Sequence, residues 1–83
     1  MAKYKIEIKR SAVKEIKKLP VKELKRVLKA IKELRDTPKP IGVIKLSNHE
    51  FYRIRIGNNR ILYEIHEGVL RIIIIIVGLR KNI

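Results

Sequence analysis

Between Tyr52 and Ile65 the sequence alternates as Tyr-Arg-Ile-Arg-Ile, turns through Gly-Asn-Asn, and alternates again as Arg-Ile-Leu-Tyr-Glu-Ile. Successive side chains on a strand point to opposite faces, so the stretch predicts a β-hairpin with Tyr52, Ile54 and Ile56 on one side and Arg53 and Arg55 on the other. Two-residue turns are the commonest hairpin connections. With Asn58-Asn59 as that turn, Arg55 is expected to face Leu62 and Arg53 to face Glu64. Cross-strand partners share a face, which adds Arg60 to the arginine side and sends Ile61, Tyr63 and Ile65 to the apolar one. One face of the hairpin is core and the other is cationic.

The rest of the chain supplies elements to cover that core face. Tyr4 to Ile8 alternates as a half-buried strand should. Ser11 is the expected cap of a first helix whose stripe is Ala12, Val13, Ile16 and Leu19, and Pro20 interrupts it. A second helix is predicted from Val21 to Arg35, burying Val21, Leu24, Val27, Leu28, Ile31 and Leu34 at three-and-four spacing. Asp36-Thr37-Pro38 ends it, and Pro40 and Gly42 keep the connection irregular. Ile41 to Leu46 is expected to return to the sheet, and residues 47–50 form a polar link to the hairpin.

Glu67-Gly68 reads as the next turn. Pairing His66 with Val69 sets Glu64 opposite Arg71, between Arg53 and Arg71, and sets Arg60 opposite Ile75. The last strand, Val69 to Val77, is apolar on both faces except at Arg71, as a central strand under helices would be. Ile73, Ile75 and Val77 then fall on the arginine side, where a partner is expected to cover them. Continued alternation puts Arg80 on the helix side unless the strand breaks or bulges at Gly78. Strand, helix, helix and four strands in order predict an α+β fold, a single domain over residues 1–83 in which antiparallel strands form one twisted sheet packed on a helical hairpin.

Charge narrows the class of partner. Lys and Arg number 21 against 8 Asp and Glu, a formal charge of +13. Such an excess attracts polyanions or acidic proteins. There is no cysteine, which excludes disulfides, thiolate metal sites and cysteine nucleophiles. The N-terminus lacks the apolar stretch of a signal peptide, and Ile72 to Leu79 is far shorter than the ~18 residues that suggest a membrane span. A cytoplasmic location without membrane contact is expected. His49 and His66 lack ligand spacing with other residues, so neither a metal nor a cofactor is predicted. His49 shares parity with Arg53 if the chain is already extended there.

The N-terminal strand, the Lys-rich helical hairpin closing in Pro38-Lys39-Pro40, Lys45-Leu46, the block from Tyr52 to Ile65 and Ile76-Val77-Gly78-Leu79-Arg80 together resemble the RelE/ParE toxin superfamily, RelE branch. The resemblance spans essentially the whole chain. It implies the RelE-like fold and a toxin of a type II toxin–antitoxin pair, a ribosome-dependent endoribonuclease that cuts messenger RNA in the A site. It further implies a RelB-like antitoxin and a toxin–antitoxin hetero-oligomer. Position by position, the family's basic pair before the turn falls on Arg53 and Arg55, its arginine after the turn on Arg60, and its arginine after the last strand on Arg80. Lys45, Arg71 and Lys81 are the further RNA contacts expected. The family's tyrosine a few residues beyond Arg80 has no counterpart before Ile83, so a weakened toxin acting as a basic RNA-binding module stands as one alternative. A gyrase inhibitor of the ParE kind is the other.

Arginines suit such chemistry. Cleavage by the RNA 2′-hydroxyl builds negative charge on the phosphate, and a planar guanidinium donates two parallel hydrogen bonds to it. With a pKa above about 12, arginine is a poor general acid or base. A ribosome that orients the RNA supplies part of what the side chains lack.

Overall fold

The structure is a computed structural model and describes residues 3–46 and 51–79. Strand β1 (Lys5–Ile8) passes almost directly into helix α1 (Arg10–Lys17), which is followed by α2 (Val21–Glu33). Strands β2 (Ile44–Leu46), β3 (Phe51–Ile56), β4 (Asn59–His66) and β5 (Arg71–Leu79) complete the chain. The strands form one sheet in the order β1-β5-β4-β3-β2. β1 runs parallel to β5, and every other pairing is antiparallel. This is the α+β architecture the alternation predicts. Both helices lie on one face, and the core forms where Ala12, Ile16, Val27, Ile31 and Leu34 meet the inward side chains of β3, β4 and β5.

Local starts and stops differ from expectation for physical reasons. Ser11 lies inside α1 and does not cap it; the cap position is Lys9, which makes no side-chain capping bond. Lys9 N–H instead donates to Ile74 O at 3.0 Å, so the sheet itself sets where α1 begins. Pro20 caps α2, its carbonyl accepting from Leu24 N–H at 2.8 Å. Beyond Glu33 the chain turns, and Arg35 O accepts from Tyr4 N–H at 2.9 Å. The α2 stripe is narrower than predicted: Val27, Ile31 and Leu34 are buried, whereas Val21 is 66% and Leu28 44% exposed. At 3.6 residues per turn, Val21 and Leu28 lie roughly 100° round the helix from that stripe. β2 is shorter than the predicted Ile41–Leu46 segment, starting only at Ile44.

Each predicted turn moves by a step. The β3–β4 turn is Gly57-Asn58, with Ile56 opposite Asn59, Arg55 opposite Arg60 and Arg53 opposite Leu62. Gly57 has φ +59°, and a positive φ at the first central position is what glycine permits in such a turn. The β4–β5 connection is a 3-10 turn at Glu67–Val69 followed by Leu70 at φ +51°, so His66 faces Arg71, not Val69. Glu64 consequently sits between Phe51 and Ile73, not between Arg53 and Arg71. A β-bulge also interrupts the ladder: Tyr63 faces Ile74 while Leu62 faces Ile76, leaving Ile75 without a partner on β4. The bulge reverses the parity of β5. Val77 is fully buried and Ile76 is 42% exposed, so of the three residues predicted to need an outside cover Val77 needs none. The reversal falls at Ile75, upstream of Gly78, and places Gly78 opposite Arg60 on the outer face.

Candidate functional site

The sheet face away from the helices carries the arginines. A register shift of two residues preserves parity, so Arg53, Arg55 and Arg60 share this face as alternation requires. Arg55 and Arg60 stand directly opposite each other, their Cα atoms about 5 Å apart by strand geometry. Like charges in that relation repel. Arg53 lies two positions along β3, between Leu62 of β4 and Ile44 of β2. Arg53 and Arg60 are half-buried and Arg55 is exposed. Among the described residues, none of the three forms an ion pair.

Of the outer-face acids, Glu64 stands opposite Phe51 as a diagonal neighbour of Arg53, and Glu7 stands on β1 opposite Ile73. Glu64 Oε1 contacts His66 Nε2 at 2.8 Å, and Glu7 Oε2 holds Arg71 Nε at 3.0 Å. Arg71 faces His66, six residues along β4 from Arg60, which at strand rise is roughly 20 Å away. It does not join the arginine cluster. Lys45 pairs with Tyr52 and therefore belongs to the helix side of the sheet, exposed at the β2 edge. Arg80, Lys81 and His49 lie outside the described residues. Among the described residues there is no group of three or more His, Cys, Asp or Glu arranged to hold a metal. None of their helices is long and apolar enough to cross a membrane.

Two grooves flank the arginines. β2 covers β3 only as far as Arg53, and beyond it a groove of about 750 Å³ opens between β3, the end of α2 and the connection at residues 36–44. Arg53 and Arg55 line it. β1 likewise covers β5 only as far as Ile74, and a second groove of about 730 Å³ runs between the end of β5 and the start of the helical layer, lined by Arg60, Gly78, Glu15 and Glu23. The cluster thus spans the hairpin from one groove to the other.

Comparison with known proteins assigns the family. Residues 6–83 match the family described as ParE toxin of type II toxin–antitoxin system, parDE. The chain belongs to the RelE/ParE toxin family. No curated protein sequence matches it. Among solved structures, the archaeal RelE–RelB complex from Pyrococcus horikoshii OT3 superposes with TM-score 0.87 at 28% identity, covering 98% of this chain and 99% of that one. The RelB–RelE complex from Methanococcus jannaschii gives TM-score 0.74, also at 28% identity, over 92% of each chain. The isolated Escherichia coli RelE toxin, at 20% identity and TM-score 0.83, shares the fold over 96% of this chain and 87% of its own.

Within this RelE/ParE fold, one polar residue escaped the sequence-based reading. Asn59 is 1% exposed and its Nδ2 donates to Glu23 Oε1 at 2.7 Å, tying the start of β4 to the first turn of α2. Its Oδ1 is buried and meets no partner among the described residues. The signal was present: Asn59, Ile61, Tyr63 and Ile65 share the inward parity, and Asn59 is the polar member. Placing the turn one residue late hid it.

Proposed function

We propose that the protein is the toxin of a type II toxin–antitoxin pair and acts as a ribosome-dependent endoribonuclease on messenger RNA in the A site. The observation that carries this reading is the directly opposed Arg55 and Arg60, with Arg53 alongside and no carboxylate paired to any of them among the described residues. A repulsive cluster left without internal counterions is poised to bind a phosphate, which relieves the repulsion and accepts paired hydrogen bonds. In the proposed step the 2′-oxygen of one nucleotide attacks its own phosphorus and loses its proton as the bond to the 5′-oxygen breaks. That oxygen takes up a proton, leaving a 2′,3′-cyclic phosphate and a 5′-hydroxyl. Arg53 and Arg55 hold the phosphate and aid the 2′-hydroxyl, Arg60 stabilises the charge that develops, and Arg80 serves the leaving-group side. The ribosome contributes orientation of the RNA. Lys45, Arg71 and Lys81 are secondary contacts in this scheme, with Arg71 the weakest candidate because Glu7 already holds it.

Single alanine variants at Arg53, Arg55 and Arg60, assayed for cleavage on programmed ribosomes, test the scheme. Loss of one preorganised donor to a developing oxyanion lowers kcat by roughly 10²–10³-fold. Arg60→Ala is expected to show such a loss with the fold intact. Unimpaired cutting by all three variants would place the site elsewhere. The family match, made under the ParE name, supports a second reading as a gyrase inhibitor. Primer-extension mapping of cleaved messages and a supercoiling assay separate the two.

The partner in either case is a RelB-like antitoxin, as in the RelE–RelB complexes of the relatives. It needs acidic residues against the arginines and apolar ones against Ile44 and Ile76, which are 46% and 42% exposed on the same face.

A further inference from the structure

We infer that Asn59 and Glu23 are positioning residues for Arg60: their hydrogen bond fixes the start of β4 on helix α2 and so holds the Arg60 guanidinium opposite Arg55. Arg60 follows Asn59 directly, and alternation sends the two side chains to opposite faces. Whatever fixes Asn59 on the inner side therefore fixes the backbone from which Arg60 projects on the outer side. Fixing is needed there. The pair Arg55–Arg60 lies one step from the turn and repels, and on the other flank Arg60 faces Gly78, which has no side chain to support it.

The inner side supplies two holds from the same stretch of α2. Glu23 accepts from the Asn59 amide at 2.7 Å. One helical turn on, the Arg26 guanidinium packs beneath Gly57, where a Cβ would lie 3.4 Å from Nη1. Glu23 and Arg26 thus grip the hairpin on both sides of Asn58. Among the described residues, the Asn59–Glu23 bond is the one side-chain hydrogen bond that joins a helix to the sheet.

Stability alone gives a weak account of Asn59. Its Oδ1 is buried without a partner, a state that costs folding free energy. A β-branched apolar residue of similar size would suit an inward strand position at least as well. A side chain that is costly to bury and is joined to a single carboxylate has the character of an alignment device.

The kinetic test rests on the ribonuclease reading, and a second measurement does not. In ribosome-dependent cleavage, Asn59→Val and Glu23→Ala are each expected to lower kcat about tenfold at unchanged KM, within the ~100-fold that a 1 Å misplacement can cause. Glu23→Gln keeps the acceptor oxygen and is expected to cut at the normal rate. Added to Arg60→Ala, Asn59→Val is expected to cause no further loss, since it acts through Arg60. Urea midpoints are expected to show Asn59→Val no less stable than the unaltered chain.

The second measurement is the Nε–Hε NMR signal of Arg60, assigned with Arg60→Lys. Its heteronuclear NOE is expected to fall in Asn59→Val and Glu23→Ala towards that of the exposed Arg10, and to be retained in Glu23→Gln. If the unaltered chain does not cut messages, the ribonuclease reading fails and this signal alone decides the positioning role. An unchanged Arg60 signal in Asn59→Val, an additive loss on the Arg60→Ala background, or a fall in kcat that only follows loss of folded protein would overturn the inference.

Discussion

Tyr63 fastens the sheet to the connection that leads from the helices. It is fully buried, stacks on Tyr52 with ring centroids 6.0 Å apart, and its hydroxyl donates to Pro38 O at 2.7 Å. Tyr63→Phe removes that bond and leaves the carbonyl without its partner, an expected loss of about 1–2 kcal/mol in urea unfolding. Burial, with Tyr52 beside it, raises the Tyr63 phenol pKa above its ordinary value of 10.0. The folded chain therefore keeps this proton where the unfolded chain releases it, so the contribution to stability is intact below about pH 10 and declines as the pH climbs further. Stability measured at pH 9 and pH 11 should fall less in Tyr63→Phe than in the unaltered chain. Strand alternation places both tyrosines on the helix side without difficulty. The partner of the hydroxyl lies 25 residues away in sequence, a distance across which no local periodicity speaks.

At the scale of elements, the hairpin sets the proposed function against stability. Arg55 opposite Arg60 is a like-charge pair, and such pairs are unfavourable by roughly 0.2–1 kcal/mol. Arg55→Glu turns repulsion into attraction and is expected to raise stability by up to about 1 kcal/mol while abolishing message cleavage; a variant that cuts normally would remove Arg55 from the site. The face of each arginine was legible because alternation has a period of two, and a register error of two residues leaves every face unchanged. The partner of each arginine was not, because that depends on whether Gly57 or Asn58 opens the turn. β5 was harder still. Ile72 to Ile76 are five isoleucines in a row, and identical residues carry no phase from which a bulge could be read. Burial breaks the tie: Val77 is drawn to the core with Ile72 and Ile74, and Ile75 absorbs the extra step.

For the molecule as a whole, both helices cover one face of the sheet, and the face left open carries Arg53, Arg55 and Arg60 of a chain whose net charge is +13. If Arg53, Arg55 and Arg60 each neutralise a phosphate, the affinity for single-stranded RNA should fall with a log–log salt slope of about −2. Arg71→Ala should change that slope less than Arg55→Ala does, because Arg71 is held by Glu7 at the far end of the sheet. A flat salt response in a filter-binding titration would contradict phosphate contact altogether. The fold class, the cationic face and the broad helical layer could be read from pattern and charge. Neither groove could, since each opens where a neighbouring strand stops short.

The position of β5 has a bearing on how the protein is made. β5 lies between β1 and β4, so the sheet cannot close until the chain through β5 has left the ribosome. A nascent chain that has not reached Arg71 offers β1 no neighbour and leaves β4 with an open edge. Prematurely terminated products are thus expected to be protease-sensitive fragments, and a cell translating a damaged message is spared a partly armed toxin.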